Sequence, residues 1–294
     1  MKPTIFRGAG VAIATPFTDD AINFSELGRL IDFQIDNGTD AIIITGTTGE
    51  SATMSDAEHR DAIKFAVDHV NHRIPVVAGT GSNETAYAVS LSKFAESVGA
   101  DAVLCVTPYY NKCTQKGLVK HYEAIADAIN IPMILYNVPS RTGVNIKVET
   151  YRELSKHPRI NAVKEANGDL TSVLKTRYAC GDDLNVYSGN DDQIVPILSL
   201  GGSGVISVLS NVAPKQTHDI CQKFFDGDLE SAKKLQIDFC DLVEALFCEV
   251  NPIPVKTALR LMGFSMGKLR MPLSEMEDVN LEKLKKSLKN HGLI

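Results

Sequence analysis

A lysine lies within a short apolar run of the sequence, the segment INAVKEANG at residues 160–168. Lysine is depleted in β-strands and is rarely buried. Because successive side chains of a strand point to opposite faces, Lys164 shares a face with Ala162 and Ala166. If that face points into a core, burial lowers the pKa of the ammonium, and the neutral amine can attack a carbonyl to form a Schiff base. If it points outward, the side chain extends along apolar surface toward solvent, and periodicity alone leaves both orientations open.

Polar side chains follow other apolar runs and have the chemistry that a Schiff-base lysine needs. Tyr136 lies near the end of MILYNV, and a hydrogen-bonded tyrosine hydroxyl can relay protons. Thr47 and Thr48, in the glycine-flanked segment TGTTGE, offer hydroxyl and backbone N–H groups to a carboxylate. Arg141, in YNVPSRTG, has a guanidinium fork that matches a carboxylate. Each has an ordinary structural alternative: a core aromatic with a polar tip, a helix-capping loop and a surface arginine.

Eight short apolar runs alternate with segments of helical periodicity. They are GVAIATP (10–16), AIIITG (41–46), PVVAGTG (75–81), AVLCVTP (102–108), MILYNV (133–138), INAVKEA (160–166), LNVYSGN (184–190) and GVISVL (204–209). Near-continuous apolar runs are typical of parallel strands covered on both faces. Eight of them with intervening helices predict an α/β fold, a (β/α)8 TIM barrel. The alternative is a doubly wound open sheet, but ATPFTDD follows the first run, where such a sheet normally has a glycine-rich loop.

The barrel interpretation gathers the polar segments at one rim, because active sites of this fold lie at the carboxyl ends of the strands. From Pro214 onward the pattern is helical throughout, which is more helix than a closing barrel needs. We therefore predict a catalytic barrel domain over residues 1–226 and an appended C-terminal helical segment over residues 227–294. Ser55 with Glu58 predicts a capping box at a helix start. Lys256, after the two prolines of NPIPVK, is predicted to be an early residue of a helix.

Composition limits the classes of partner. The 294 residues have a net charge of −6 and no basic run longer than Lys285-Lys286, which gives nucleic-acid binding little electrostatic support. Six scattered cysteines, none in a CxxC pair, indicate a reducing compartment. The N-terminus lacks the apolar stretch of a signal peptide, and no apolar run is long enough to cross a bilayer. We expect a cytoplasmic protein without membrane or nucleic-acid partners.

The motifs GTTGE, TPYYN, YNVPSRTG, AVKEA, SGND, GVISV and NPIPVK occur in this order along essentially the whole chain. Each is weak alone, but together the set closely resembles the dihydrodipicolinate synthase (4-hydroxy-tetrahydrodipicolinate synthase) family. The resemblance implies condensation of pyruvate with L-aspartate-4-semialdehyde to 4-hydroxy-tetrahydrodipicolinate, in diaminopimelate and lysine biosynthesis. It implies no cofactor and no metal, and a homotetramer built as a dimer of dimers.

The same resemblance assigns roles to individual residues. Lys164 is implied to form the Schiff base with pyruvate, and Thr47, Tyr136 and Tyr110 to form a proton relay. Tyr110, the second tyrosine of TPYYN, is implied to reach the neighbouring subunit's site. The residues implied to bind the substrates are Thr48, Arg141 and, through their backbone, Gly189 and Ile206.

A possible effector site for lysine is also implied, in a degenerate form. Five residues match the site of lysine-inhibited members: Ser51, Ala52, His59, Asn83 and Tyr109. Two positions depart from it, because Asp56 stands where a histidine is common and Tyr87 where a glutamate pairs with the effector's amino group. Loss of that carboxylate removes a charge-assisted hydrogen bond of about 1.5–3 kcal/mol. We therefore expect weak or absent inhibition by lysine.

Three other functions remain as alternatives to the synthase. The first is a related pyruvate-dependent aldolase such as N-acetylneuraminate lyase, against which the arginine of YNVPSRTG argues. The second is a non-catalytic barrel, which would have no reason to keep Lys164, Thr47, Tyr110 and Tyr136 together. The third is a metal-dependent aldolase, which would need a cluster of ligands at the strand ends.

Overall fold

The computed structural model describes residues 2–294, and its centre is a closed barrel of eight parallel strands in chain order. The strands are β1 (Gly8–Ala12), β2 (Ala41–Ile44), β3 (Val76–Gly79), β4 (Ala102–Val106), β5 (Met133–Asn137), β6 (Ile160–Glu165), β7 (Asn185–Ser188) and β8 (Gly204–Ser207). Each predicted run contains one strand, except that β1 begins two residues earlier than its run. The TIM-barrel prediction is confirmed, and the open-sheet alternative is wrong because β8 pairs with β1.

Side-chain alternation divides the strands into two apolar layers. Ala162 of β6 belongs to an inner layer with Ile43, Leu104 and Ile134, which fills the barrel. Val163, the next residue, packs in the larger outer layer between the strands and the helices. This alternation decides which side chains of a strand reach the interior of the barrel.

Thirteen helices lie among the residues that the structure describes. Those of the barrel are α1 (Phe24–Asp36), α2 (Asp56–Val70), α3 (Thr85–Ser97), α4 (Gln115–Asp127), α5 (Pro139–Thr142), α6 (Val148–Leu154), α7 (Leu170–Cys180), α8 (Ile194–Ser199) and α9 (Pro214–Phe225). Ser55 caps α2, and its side chain and that of Glu58 exchange hydrogen bonds with each other's backbone, so the predicted capping box is confirmed. None of the helices in residues 2–294 has the length and apolar character needed to span a membrane.

The C-terminal helices continue from the last barrel helix. They are α10 (Leu229–Asp238), α11 (Cys240–Leu246), α12 (Ile253–Leu261) and α13 (Asp278–Asn290). α10 packs against α9, and α11 packs against α13. The apolar pattern over 228–247 suggests a single helix, but the structure divides it at Phe239 into α10 and α11. The boundary between residues 226 and 227 stays a prediction.

Aromatic side chains fill the amino-terminal end of the barrel. Phe6, just before β1, and Tyr187 of β7 are both buried, and their rings stack with centroids 4.4 Å apart. The Tyr187 hydroxyl donates to the Phe6 carbonyl at 2.6 Å. Aromatic side chains therefore occupy the interior at this end, whereas residues at the carboxyl ends of the strands line a cavity.

Candidate active site

Lys164 points into the barrel. It is 5% exposed and lies across from Tyr136 in the register of β5 and β6, with its Nζ 4.5 Å from the centre of the Tyr136 ring. Burial lowers the pKa of Lys164 to about 8, with a smaller contribution from the Arg141 charge and an opposing one from Asp191. The open question of its orientation is thus decided in favour of the inward, nucleophile-like setting.

Tyr136 is the neighbouring titratable group. It is 8% exposed, and burial raises the pKa of its hydroxyl, while the Arg141 charge and a hydrogen bond with the Thr47 side chain partly offset that rise. A protonated hydroxyl beside a partly neutral amine can donate a proton and take it back. Tyr136 therefore contacts both Thr47, through a side-chain hydrogen bond, and Lys164, through its ring.

The turn after β2 carries the two threonines. Thr45 enters it with a left-handed backbone (φ 56°), and Gly79 of β3 lies so close that a Cβ there would be 2.4 Å from the Thr45 carbonyl oxygen. Gly49 and Glu50 donate backbone hydrogen bonds to Gly46 and Thr47 at 3.1 Å each. The sequence TGTTGE folds locally into a tight turn, which holds Thr47 and Thr48 at the barrel rim.

Two residues outside the turn, Arg141 and Asn251, are linked to Thr48 by hydrogen bonds. Arg141, in the short helix α5, donates from Nη2 to the Asn251 carbonyl at 3.3 Å. Asn251 in turn donates from Nδ2 to Thr48 Oγ1 at 3.0 Å. Asn251, in the segment between α11 and α12, thus links two predicted substrate-binding residues.

These side chains surround a cavity of about 220 Å³. Six of the eight predicted catalytic and substrate-binding residues line it: Thr47, Thr48, Tyr136, Arg141, Lys164 and Gly189. Ile206 lies in β8, fully buried in the inner layer with Tyr136 and Ala162. Tyr110 lies outside the cavity of its own chain, with a left-handed backbone and 92% exposure.

Sequence reasoning missed several residues of the cavity. Asn190, Phe247 and Asn251 also line it. Asn251 opens the motif NPIPVK and Asn190 belongs to SGND, so both were within recognised motifs, but no pattern near them indicates a role. Phe247 reaches the site from the end of α11, a contact that only the tertiary fold provides.

Glu165, on the opposite face of β6 from Lys164, is a buried carboxyl that the sequence did not indicate as unusual. It accepts hydrogen bonds from the Tyr151 hydroxyl at 2.8 Å and from Asn137 Nδ2 at 2.9 Å. Burial raises its pKa to about 7, against the opposing effect of these hydrogen bonds. It ties the end of β6 to α6 and to β5 immediately behind the lysine.

A second cavity of about 610 Å³ shares Thr47 and Arg141 with the first. Six of the predicted effector residues line it: Ser51, Ala52, Asp56, His59, Tyr87 and Tyr109. The seventh, Asn83, does not line this cavity, and its backbone carbonyl accepts from Asn111 Nδ2 at 2.9 Å. The Asp56 carboxylate is engaged by Arg60 Nε at 2.9 Å, so the acid at this position is already paired.

The sequence is similar to known proteins over nearly its whole length. The model of the dihydrodipicolinate synthetase family matches residues 5–291. The chain belongs to this family. A 4-hydroxy-tetrahydrodipicolinate synthase of Acetivibrio thermocellus is 55% identical over 294 residues, which cover all of both chains. The resemblance noted in the sequence is thereby confirmed, and the protein is an enzyme of this lyase family.

Solved structures of family members have the same fold. The dihydrodipicolinate synthase of Acinetobacter baumannii, in a complex with pyruvate, has a TM-score of 0.96 and 43% identity, and the match covers 99% of this chain and all of the other. The enzyme of Cyanidioschyzon merolae with lysine bound has a TM-score of 0.96 and 38% identity over the same shares. Within residues 2–294 of this family member, no three His, Cys, Asp or Glu side chains are grouped to hold a metal ion.

Proposed function

We propose that this enzyme condenses pyruvate with L-aspartate-4-semialdehyde through a Schiff base on Lys164, giving 4-hydroxy-tetrahydrodipicolinate for diaminopimelate and lysine biosynthesis. The observation that carries the proposal is Lys164 itself: a buried lysine with its pKa lowered to about 8, against the ring of Tyr136 in a cavity with polar lining residues. Partial neutrality at pH 7–8 supplies the nucleophile. The pyruvate complex of the Acinetobacter relative supports the choice of ketoacid.

The proposed condensation passes through an imine and an enamine on Lys164. The neutral Lys164 amine attacks the ketone carbon of pyruvate, and the carbinolamine loses water to give an imine. The imine acts as an electron sink, so the methyl group releases a proton and the resulting enamine attacks the aldehyde carbon. The amino group of the semialdehyde then attacks the imine carbon, closes the ring and releases Lys164.

Each side chain of the cavity has a proposed task in these steps. Tyr136 and Thr47 transfer protons to and from the carbinolamine and the new alkoxide, a contribution of about 10²–10⁴-fold. Thr48 and the backbone of Gly189 and Ile206 bind the pyruvate carboxylate. Arg141, at the edge shared by the two cavities, binds the semialdehyde carboxylate with its fork.

Tyr110 is proposed to complete the relay of a partner subunit. An aromatic residue that is 92% exposed and adopts a left-handed backbone is unusual on the surface of a monomer. Contact with a second copy would bury it. We propose a homotetramer made of two such dimers, and a cytoplasmic location, with which six unpaired cysteines agree.

Inhibition by lysine is proposed to be weak or absent. Tyr87 brings a phenol instead of a carboxylate, and burial and the nearby Asp56 raise the pKa of that phenol, so it stays neutral. Asp56 is paired with Arg60. A steady-state assay with increasing lysine should show little loss of rate, and half-inhibition by sub-millimolar lysine would contradict this.

Trapping by borohydride tests the mechanism directly. The enzyme is incubated with pyruvate, reduced, digested and analysed by mass, and we expect an adduct of reduced pyruvate on Lys164. Lys164→Ala should carry none. An adduct on Lys256, the other buried lysine, or the absence of any adduct would overturn the proposal. Parallel assays with semialdehyde plus pyruvate and with N-acetylneuraminate distinguish the synthase from a sugar-acid lyase.

A further inference from the structure

A buried ion pair lies beneath the turn that carries Thr47 and Thr48. Lys256 of α12 donates from Nζ to Glu50 Oε1 at 2.5 Å, and both side chains are 1% exposed. The second oxygen of Glu50 accepts the backbone N–H of Arg270 at 3.0 Å. Lys256 Nζ also lies 4.5 Å from the centre of the Phe17 ring. Neither charged group belongs to the cavity lining described above.

Glu50 is the last residue of the turn, and its position controls the backbone before it. It has a left-handed backbone (φ 57°), and its N–H closes the turn onto the Thr47 carbonyl. A non-glycine residue in that region is strained and persists only where its surroundings hold it. The Lys256 ammonium and the Arg270 N–H hold its side chain from the C-terminal helical segment.

The same segment contacts the turn at a second point. Asn251, five residues before Lys256, donates to Thr48 Oγ1. Arg270 further forms an ion pair with both oxygens of Glu58 in the first turn of α2. The turn between β2 and α2 is therefore held on three sides by residues that lie far away in sequence.

The Glu50–Lys256 ion pair is not explained by a gain in the free energy of unfolding. Two charges removed from water incur a desolvation cost that their attraction roughly balances, and apolar residues of the same volume are often as good or better for stability. A charged, directional contact instead restricts the geometry of the group it holds. Here that group is the turn with Thr47 and Thr48.

We propose that the Glu50–Lys256 pair is a positioning device that sets the height of the Thr47–Thr48 turn over the cavity and thereby the binding of the ketoacid carboxylate. The inference rests on the proposed function, since it assumes that this turn binds pyruvate. Lys256 acts through Glu50 and the turn, without contact with the substrate.

The test compares the double variant Glu50→Gln/Lys256→Met with the wild type and with Ser287→Ala. The double variant removes both charges, with an isosteric amide at position 50 and an unbranched side chain one atom shorter at position 256. Ser287→Ala deletes a partly buried hydrogen bond to Asp241 between α13 and α11 and thus weakens the same segment away from the turn. The readouts are the pyruvate concentration for half-maximal trapping at Lys164, KM and kcat for both substrates, and the melting temperature.

We expect the double variant to raise half-saturation by pyruvate about tenfold, equivalent to about 1.4 kcal/mol, with a change of less than about twofold in the semialdehyde KM. Ser287→Ala should lower the melting temperature and leave pyruvate half-saturation unchanged. If the double variant fails to fold, Glu50→Asp, which keeps both charges but shortens the contact that holds the turn, is expected to show the same selective rise.

Two results would overturn the inference, one of them without affecting the proposed function. Pyruvate half-saturation within twofold of the wild type in a folded variant, with normal trapping of the wild type, refutes the positioning role and leaves the function intact. Absence of a pyruvate adduct in the wild type refutes the proposed function and the inference with it.

Discussion

At the scale of single residues, the protonation state of Lys164 governs the proposed chemistry. Its ordinary pKa of 10.5 would leave almost no neutral amine at pH 7, whereas a pKa of about 8 leaves about one molecule in ten neutral. The barrel interior lowers the pKa mainly by excluding water from the ammonium. The same burial keeps the Tyr136 hydroxyl protonated, so acid and nucleophile coexist.

A pH profile of imine formation should reflect this lowered pKa. Because the neutral amine reacts, kcat/KM for pyruvate should rise about tenfold per pH unit below pH 8 and level off above it. Initial rates of borohydride trapping between pH 6 and 10 measure the profile, with circular dichroism at each pH to confirm folding. A rise that continues to pH 10 without levelling off would show a lysine with an ordinary pKa of 10.5.

The alternation of β6 predicted from the sequence that Ala162, Lys164 and Ala166 share a face, and the structure agrees. It could not predict whether that face is inside or outside, because a period of two residues is the same in either case. The choice depends on barrel closure and on Tyr136 in the adjacent strand. Asn251 and Phe247 were unpredictable for a related reason. Asn251 contacts Thr48, which lies about 200 residues away in the sequence. Phe247 reaches the cavity only because of the way the helices pack.

At the scale of elements, β6 bears ionisable groups with opposite surroundings on its two faces. Lys164 faces the cavity, while Glu165 faces α6 and is bound by Tyr151 and Asn137. This buried carboxyl holds its proton more tightly in the folded state than in the unfolded state, because its pKa is raised from 4.5 to about 7. The consequence is a dependence of stability on pH.

Glu165→Gln should remove that dependence. Between about pH 4.5 and 7 the folded wild type keeps a proton that the unfolded chain releases, so its free energy of unfolding falls as pH rises, by about 3 kcal/mol in total. The amide cannot ionise, so the variant should lose about 2.5 kcal/mol less than the wild type between pH 5 and 8. Urea denaturation at both pH values measures the difference.

A surface substitution provides the control for this experiment. Glu153→Gln, at an exposed position of α6, removes a carboxyl from the same helix that Tyr151 belongs to. It should leave the pH dependence of the wild type unchanged. Equal pH dependence in the wild type and in Glu165→Gln would mean that folding does not raise the pKa of the Glu165 carboxyl.

The helices and strands themselves were largely predictable, because each signal is local. Ser55 and Glu58 are three residues apart and form their capping box from sequence neighbours alone. The break at Phe239 between α10 and α11 was not predictable, since no glycine or proline marks it and the apolar pattern continues across it. Contacts with α9 on one side and α13 on the other replace a local signal there.

At the scale of the whole molecule, the proposed role of Tyr110 makes two chains necessary for one site. Tyr110 is on the surface of its own barrel, 92% exposed, while the cavity contains the other relay groups Thr47 and Tyr136. If the relay is completed across an interface, a mutation of Tyr110 damages the partner's site instead of its own.

Mixing two inactive variants tests this arrangement. In a mixed dimer of Lys164→Ala and Tyr110→Phe chains, one site has both defects and the other has neither, so about half of the mixed dimers' sites should be active. Dissociation and reassociation of the mixture should restore activity that neither variant has alone. No recovery in confirmed mixed dimers would place the function of Tyr110 within its own chain.

The stacked Phe6 and Tyr187 rings have a kinetic consequence. Since they fill the amino-terminal end of the barrel, both proposed substrates share one opening with the product. The ketoacid bonds to Lys164, in the interior, and the aldehyde adds afterwards from the side of Arg141. The reactants must then bind in a compulsory order, and a semialdehyde molecule that arrives early obstructs the ketoacid. High aldehyde concentrations should slow turnover, and added pyruvate should relieve the inhibition.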